Sequence, residues 1–322
     1  MENFKIQKAQ FSKRIKEELR PLHKKNNWFN AFSLTYDWSI IFASVIFVKM
    51  YPSWWTYLIA IALIGSRMRA FDNLMHESSH GLLFKNRKLN KWVACIFAAF
   101  PVFTSYTAYC TSHYKHHRHL WHSEKDPDTK RYSLIGLDKP QTSLRTFVKK
   151  HIIKPLTLTH VPKYVFGTLH VNILSKEEPK IETFVKIFFW LGIVSTSILF
   201  HFWLDLILFW LVPLLTTFQI FRYWAEMAEH SGLKSAQELY ASRNTFGNPL
   251  ERFFLHPHHD NYHLVHHLFP AIPHYNLKKA HLVLMKDKEY REAHHCTGFF
   301  KSFLPGVASV IEDICGKYIL RR

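Results

Sequence analysis

Cysteine is scarce in this chain. Four of 322 residues are cysteine (Cys95, Cys110, Cys296 and Cys315), and none stands at a paired spacing. That excludes a disulfide framework and a cysteine-held iron–sulfur cluster, and it fits free thiols in a reducing compartment. Acidic residues are also few, 24 against 42 Lys and Arg, for a formal charge of +18. Such a balance invites a nucleic-acid reading. The basic residues flank apolar runs, however, which fits the positive-inside rule and an anionic leaflet, with no nucleic-acid partner. No cleavable signal is visible, since the first apolar run begins near Ala31 after a long charged lead. Internal repeats and low-complexity tracts are absent.

Aromatic residues are plentiful: 28 Phe, 14 Tyr and 10 Trp, alongside apolar runs almost free of charge. Mean hydropathy is only −0.11, so a large polar part must lie outside the lipid. A basic segment over 1–30 carries Phe4, Ile6, Phe11, Ile15 and Leu19 at helical spacing, which predicts an amphipathic helix on the membrane surface or a solvated basic arm. Ala31–Val48 predicts a first span. Trp54–Tyr57 opens a second, which must continue through Arg67 and Arg69 to reach about 20 residues and runs on to His76 and His80. The two arginines then snorkel or face protein. Val185–Phe202 and Leu204–Tyr223 predict a third and a fourth span, and Tyr164–Leu174 an interfacial stretch. Trp92–Tyr109 is apolar but contains Pro101, and it predicts a re-entrant or in-plane hairpin if the histidine clusters on either side serve one site. Ser231-Gly232 predicts a helix end after His230, and 276–322 a helical cap. Charge bias puts both termini and every histidine cluster on the cytoplasmic side.

The 23 histidines are not scattered. His113-Tyr-Lys-His116-His117 and His263-Leu-Val-His266-His267 repeat one spacing, and His76-Glu77-Ser-Ser-His80 adds a pair one helical turn apart. With His230, these make nine imidazoles. Imidazole suits Zn, Cu, Fe and Ni, and one zinc takes only four ligands, so the set suggests two metal ions. Lone histidines such as His23, His151, His160, His170, His201 and His281 are read as structural. Two rival readings remain. His76-Glu77-x-x-His80 fits the zinc-peptidase helix, with Glu77 as general base, but leaves the other clusters unexplained. A histidine-rich metal transporter or store would place its ligands in mid-membrane, whereas these clusters follow span ends or lie in polar loops.

The chain resembles the membrane fatty acid desaturase family over roughly residues 30–285. The resemblance is carried by His76-Glu-Ser-Ser-His80-Gly81, by His113–His117 with the trailing Asp126-Pro127-Asp128, and by Asn261-Tyr-His263-Leu-Val-His266-His267-Leu-Phe-Pro270. It implies one all-α integral membrane domain with four spans, a re-entrant or in-plane segment, and a cytoplasmic helical cap holding the metal site. The desaturase core would occupy 31–285 and the cap 286–322. It implies a non-haem di-iron centre ligated by His76, His80, His113, His116, His117, His263, His266 and His267, with His230 as an additional ligand. Asn261 would orient a water, and Asp126, Asp128, Glu77, Glu226 and Glu229 would orient ring N–H groups. The implied reaction is oxygen-dependent formation of a cis double bond in an acyl chain carried on CoA, acyl carrier protein or lipid. A hydroxylase or ketolase on the same scaffold is the alternative, and relatives with similar third boxes are also associated with amino-acid-like substrates. No His-Pro-Gly-Gly segment or cysteine cluster is fused to the chain, so the two electrons would come from a separate ferredoxin or small haem protein.

Overall fold

The structure is a computed structural model that describes residues 6–159, 161, 162, 165, 166 and 175–316. Most of the Tyr164–Leu174 stretch read as interfacial therefore lies outside the described residues, as do Phe4, His160 and His170. The described chain is mostly helical. In order it forms α1 (Lys13–Leu19), α2 (Asn27–Met50), α3 (Trp54–Ser79), α4 (Arg87–Val102), α5 (Tyr106–His119), α6 (Pro127–Ile135), α7 (Lys180–Leu199), α8 (Trp203–His230), α9 (His263–Leu268), α10 (Leu277–Leu284) and α11 (Val310–Ile314), with shorter turns between. The sheet among the described residues is a two-residue parallel pair, β1 (Asn244–Thr245) with β2 (His295–Cys296). Contacts divide the chain into two compact units. A span unit holds Asn26–Thr111 and Thr157–Arg222, and a histidine unit holds Met1–Lys25, Ser112–Leu156 and Tyr223–Arg322.

In the span unit, α2, α7 and α8 are long and apolar enough to cross a membrane, and the bent pair α4–α5 adds a fourth candidate if it counts as one span. Phe184, Phe188, Leu191, Ile198 and Leu199 on α7 are exposed, as are Trp54 and Trp55 at the α2–α3 turn. Lipid rather than water is the solvent such faces suit. The expected second span departs from this pattern. The helix α3 has 26 residues but is not apolar enough to qualify by composition, because Arg67, Arg69 and Asp72 fall in its second half. These charges face protein. Arg67 is buried and donates to the fully buried Asp37 of α2 at 2.9 Å, and Arg222 lies 3.5 Å from Asp72. At the other end of α2, Lys49 pairs with Asp205 at 2.6 Å, so the α2–α3 and α7–α8 turns sit at the same end of the unit.

The stretch around Pro101 does break. A 95° bend separates α4 from α5, and Phe103 takes a left-handed conformation at φ 57°. A helix end among apolar groups leaves carbonyls that need donors. Three indoles supply them: Trp38 donates to the Phe97 carbonyl at 3.1 Å, Trp190 to Phe100 at 3.0 Å and Trp210 to Pro101 at 2.8 Å. The start of α5 is held by Glu182 of α7. Its fully buried carboxylate accepts from the Thr107 backbone N–H at 3.0 Å and from the Thr107 hydroxyl at 2.5 Å, and Lys91 lies 3.0 Å away. A negative charge at a helix N-terminus is favourable. Glu182 thus locks the corner that aims the helix carrying His113, His116 and His117.

In the histidine unit, two expectations are corrected. Phe11, Ile15 and Leu19 of the basic leader are buried against Leu239, Tyr262, Leu264, Ile272 and Leu277. Among the described residues, the leader therefore spends its apolar stripe on protein rather than on a membrane surface or solvent. The tail is also only partly helical: among its described residues, up to 316, it forms α10, α11 and short turns, and β2 pairs there with β1. The Gly and Pro residues at 298, 305 and 306 interrupt it, as such residues do.

Replacing Glu182 by Ala leaves Lys91 and the α5 terminus without their partner. We expect a loss of about 3–5 kcal/mol, read as a lower melting temperature in detergent, with Glu182→Gln intermediate. Equal stability of Glu182→Ala and the parent would show that the corner is held by packing alone.

Candidate metal centre

Seven of the nine histidines singled out by spacing lie in the histidine unit, and the fold brings these seven together. His113, His116 and His117 share the last turns of α5; His230 ends α8; His263, His266 and His267 form α9. Positions four apart share a helical face, which pairs His113 with His117 and His263 with His267. His76 and His80, at the end of α3 in the span unit, face one another with ring centroids 5.2 Å apart.

The rings meet through their Nε2 atoms. His116 Nε2 lies 3.2 Å from His230 Nε2; His230 Nε2 lies 2.9 Å from His263 Nε2; His263 Nε2 lies 3.0 Å from His267 Nε2. Beside this set, His117 Nε2 is 3.0 Å from His266 Nε2, and the His113 ring is 4.5 Å from that of His117. The two sets adjoin through His117 and His267, stacked at 4.3 Å.

The partners of the opposite ring nitrogens decide what these approaches mean. His230 Nδ1 donates to the Ala241 carbonyl at 2.8 Å, and His116 Nδ1 donates to Asp126 at 3.0 Å, with Asp128 3.4 Å away. A carbonyl and a carboxylate only accept, so both Nδ1 atoms carry the proton. Burial, then the charge of His116, pushes His230 down to about 3, so its Nε2 presents a lone pair. A buried lone pair among other imidazole nitrogens is a receptor for a cation. Imidazoles bound about 2.1 Å from one ion at right angles lie roughly 3 Å apart, the spacing found here. The donor set therefore fits a metal, and its all-nitrogen character suits Zn, Cu, Fe or Ni. Burial and then the neighbouring imidazoles hold His267 neutral, well below its ordinary value, as a ligand requires.

Asp126 is the orienting carboxylate of this centre. It is buried, accepts from the Trp121 backbone N–H at 2.9 Å and the Thr129 hydroxyl at 2.9 Å, and caps α6 through the Asp128 N–H. Burial works to raise its pKa, but the bond and charge of His116 together with the donors from Trp121 and Thr129 lower it on balance. The other carboxylates differ. Glu229 lies 3.9 Å from His263 Nε2 and groups with Asp260 and His263 as a further possible ligand set. Glu226 is tied at 2.5 Å to Arg131. Glu77 is buried in α3, and Asn261 is buried just before α9.

Sequence reading missed several supports. Ala241 is a backbone acceptor, which no side-chain pattern reveals. Arg243 donates to the Ala228 and Ser231 carbonyls at 3.1 and 2.6 Å, capping α8 behind His230, and pairs with buried Asp313 at 2.8 Å. Beneath α9, Asn244 donates to the Tyr290 hydroxyl at 2.9 Å and to His295 Nδ1 at 3.2 Å, while that hydroxyl donates to His281 Nδ1 at 2.8 Å. Asp126-Pro127 carries a signal that could have placed α6, an N-cap followed by proline at the first helical position. Of the lone histidines, His151 is buried and bonded at 2.7 Å to the Tyr223 hydroxyl. His23 lies at 3.2 Å from the Ala271 carbonyl, and His201 is exposed.

A helical membrane protein with a nitrogen-rich cluster that could hold a metal is the class that fold and centre define. The sequence model of the fatty acid desaturases matches residues 52–298. The chain is also 34% identical over 318 residues to the dihydrorhizobitoxine desaturase of Bradyrhizobium elkanii, covering 95% of this chain and 89% of that protein. It belongs to the fatty acid desaturase family, and with it to the oxidoreductases.

Two outcomes are expected. Asp126→Asn should weaken metal binding by about 10–100-fold, measured by chelator competition, and an unchanged affinity would remove its orienting role. Burial, with a smaller effect of His295 on His281, lowers the pKa of both His281 and His295 to about 4 from 6.5. The unfolded chain takes up these protons first, so their stabilisation is complete above about pH 6.5 and is lost as pH falls toward 4. Thermal melts between pH 7 and 5 should fall less steeply for the His281→Gln/His295→Gln variant than for the parent. Parallel slopes would contradict this.

Proposed function

We propose that this chain is an oxygen-dependent di-iron desaturase that introduces a cis double bond into an acyl or lipid-like chain, using two electrons from an external donor. The observation that carries this reading is the buried convergence of the Nε2 atoms of His116, His230, His263 and His267 at 2.9–3.2 Å, adjoining the second set of His113, His117 and His266. Two adjoining nitrogen sets support two ions, and family membership supports iron among the metals that imidazole suits. His76 and His80 belong to the proposed ligand set, and Asn261 is proposed to orient a water.

Bound iron would supply the four-electron reduction of dioxygen to two waters, drawing two electrons and two protons from outside and two hydrogens from adjacent substrate carbons. The protein fixes the ligands in place. Asp126 keeps the His116 proton on Nδ1, the Ala241 carbonyl does the same for His230, and Arg243 anchors the helix end that presents His230. Burial of His116, His230, His263 and His267 keeps bulk water from the ligand atoms.

We infer four crossings, α2, α3, α7 and α8, with α4–α5 re-entrant. At 1.5 Å per residue α3 is about 39 Å long, enough for a hydrocarbon core of about 30 Å. The Lys49–Asp205 tie, which groups the two short turns at one end, supports this count. Both termini and the centre are proposed to be cytoplasmic, in a bacterial inner membrane or the endoplasmic reticulum. A ferredoxin or small haem protein is the proposed donor, and CoA, acyl carrier protein or lipid the proposed carrier. The relative's name points to dihydrorhizobitoxine as that protein's substrate, so a substrate of that kind is a second proposal for this chain.

Elemental analysis of the purified protein should find close to two irons per chain. Supplied with reductant, oxygen and acyl substrate, it should give a product lighter by two mass units, and His116→Ala should abolish both signals. A single zinc, with activity lost in Glu77→Gln but kept in His263→Ala, would instead make it a protease. A gain of sixteen mass units would make it a hydroxylase.

A further inference from the structure

A cavity of about 490 Å³ opens in the histidine unit, and two candidate metal ligands, His117 and His267, form part of its wall. Its size is that of a small-molecule site. Its chemistry is wrong for a long acyl chain, since Ile6 and Leu120 are the aliphatic side chains among its lining. Three cations, Lys8, Arg118 and Lys125, face it against one carboxylate, Glu238. Glu238 is already engaged: it binds the Lys8 ammonium and accepts from the Ala9 backbone N–H at 3.1 Å. Arg118 and Lys125 have no ion-pair partner among the described residues. The lining thus carries two uncompensated positive charges beside the imidazoles of the metal centre.

We propose that this cavity binds the carboxylate of a compact, water-soluble acid, with Arg118 and Lys125 taking the anion and the remainder of the molecule directed toward His117 and His267. The inference rests on the desaturase reading for its chemistry and narrows its substrate to a small carboxylic acid. A planar guanidinium matches a carboxylate with two parallel hydrogen bonds, and an ammonium nearby adds charge without geometric demand. A concave site beside ligand imidazoles favours a small molecule over an acidic protein, which needs a broad contact surface.

The test uses the full chain in detergent, with and without ferrous iron and without oxygen. Calorimetry measures binding of hexanoate, hexan-1-ol and palmitate, and NMR line-broadening reports whether hexanoate protons approach the iron. Hexanoate should bind at least tenfold more tightly than hexan-1-ol and should weaken at least tenfold in Arg118→Ala/Lys125→Ala. Arg118→Lys should recover part of the loss, and iron should broaden the hexanoate signals. Both side chains are exposed, so the variants should melt at the parent temperature. Equal binding of acid and alcohol, or hexanoate affinity unmoved by the double variant, would overturn the proposal. So would palmitate binding without hexanoate binding, which would assign the cations to a long-chain headgroup. A double variant that keeps hexanoate affinity but is reduced more slowly by an acidic ferredoxin would assign this face to the electron donor and also overturn it. Hexanoate binding that survives when the chain fails to take up iron would sink the di-iron reading and leave the cavity assignment standing.

Discussion

The convergence of buried imidazole nitrogens is the constraint on which the histidine unit depends. His116 and His230 commit their Nδ1 protons to Asp126 and Ala241, so four Nε2 atoms in a chain of 2.9–3.2 Å contacts must share protons or a metal ion among themselves. Burying polar atoms without partners is costly. A cation set among these nitrogens satisfies them. Much of the surrounding structure holds this arrangement in place. Asp126 is held by Trp121 and Thr129, α8 is capped by Arg243, and α9 rests on the Asn244–Tyr290–His281 network.

A second requirement concerns backbone rather than side chains. An apolar helix that breaks needs hydrogen-bond donors for its last carbonyls. Here tryptophan serves, because an indole is apolar over most of its area and carries one N–H. Trp38, Trp190 and Trp210 come from three different helices and close on one helix end. The richness in tryptophan that reads from composition as an interface belt is thus partly a structural device inside the span unit. Trp54 and Trp55, exposed beside the α2–α3 turn, are the residues that keep the interfacial character.

How much of this was legible follows from what kind of signal each feature leaves. The histidine clusters were, because their spacing fixes a shared helical face whatever the tertiary context. The break near Pro101 followed from the need for the histidine clusters on either side to serve one site, with the proline inside the run as its local mark. The long α3 followed from the length a span needs. Its buried pair with Asp37 did not, because one carboxylate in an apolar run does not announce its partner. The leader was left between a lipid-facing helix and a solvated arm because periodicity shows that a face is apolar but not what covers it. The tail was read as helical because charge and hydrophobic spacing outweighed the glycines and proline near 298–306.

Charge balance also bears on what the centre can act upon. A metal cluster made only of neutral imidazoles brings no negative charge of its own, so bound cations would leave it strongly positive. Asp126, with Asp128 close by, offsets that charge beside His116, and Glu229 and Asp260 lie beside His263. On the side of His117 and His267 the balance runs the other way, since Arg118 and Lys125 add positive charge where the cavity opens. Stability alone would favour acidic residues at that mouth. Basic residues in that position are better understood as complementing an anion that arrives from outside, because a bound carboxylate would relieve the local repulsion that the cations and the loaded centre create together.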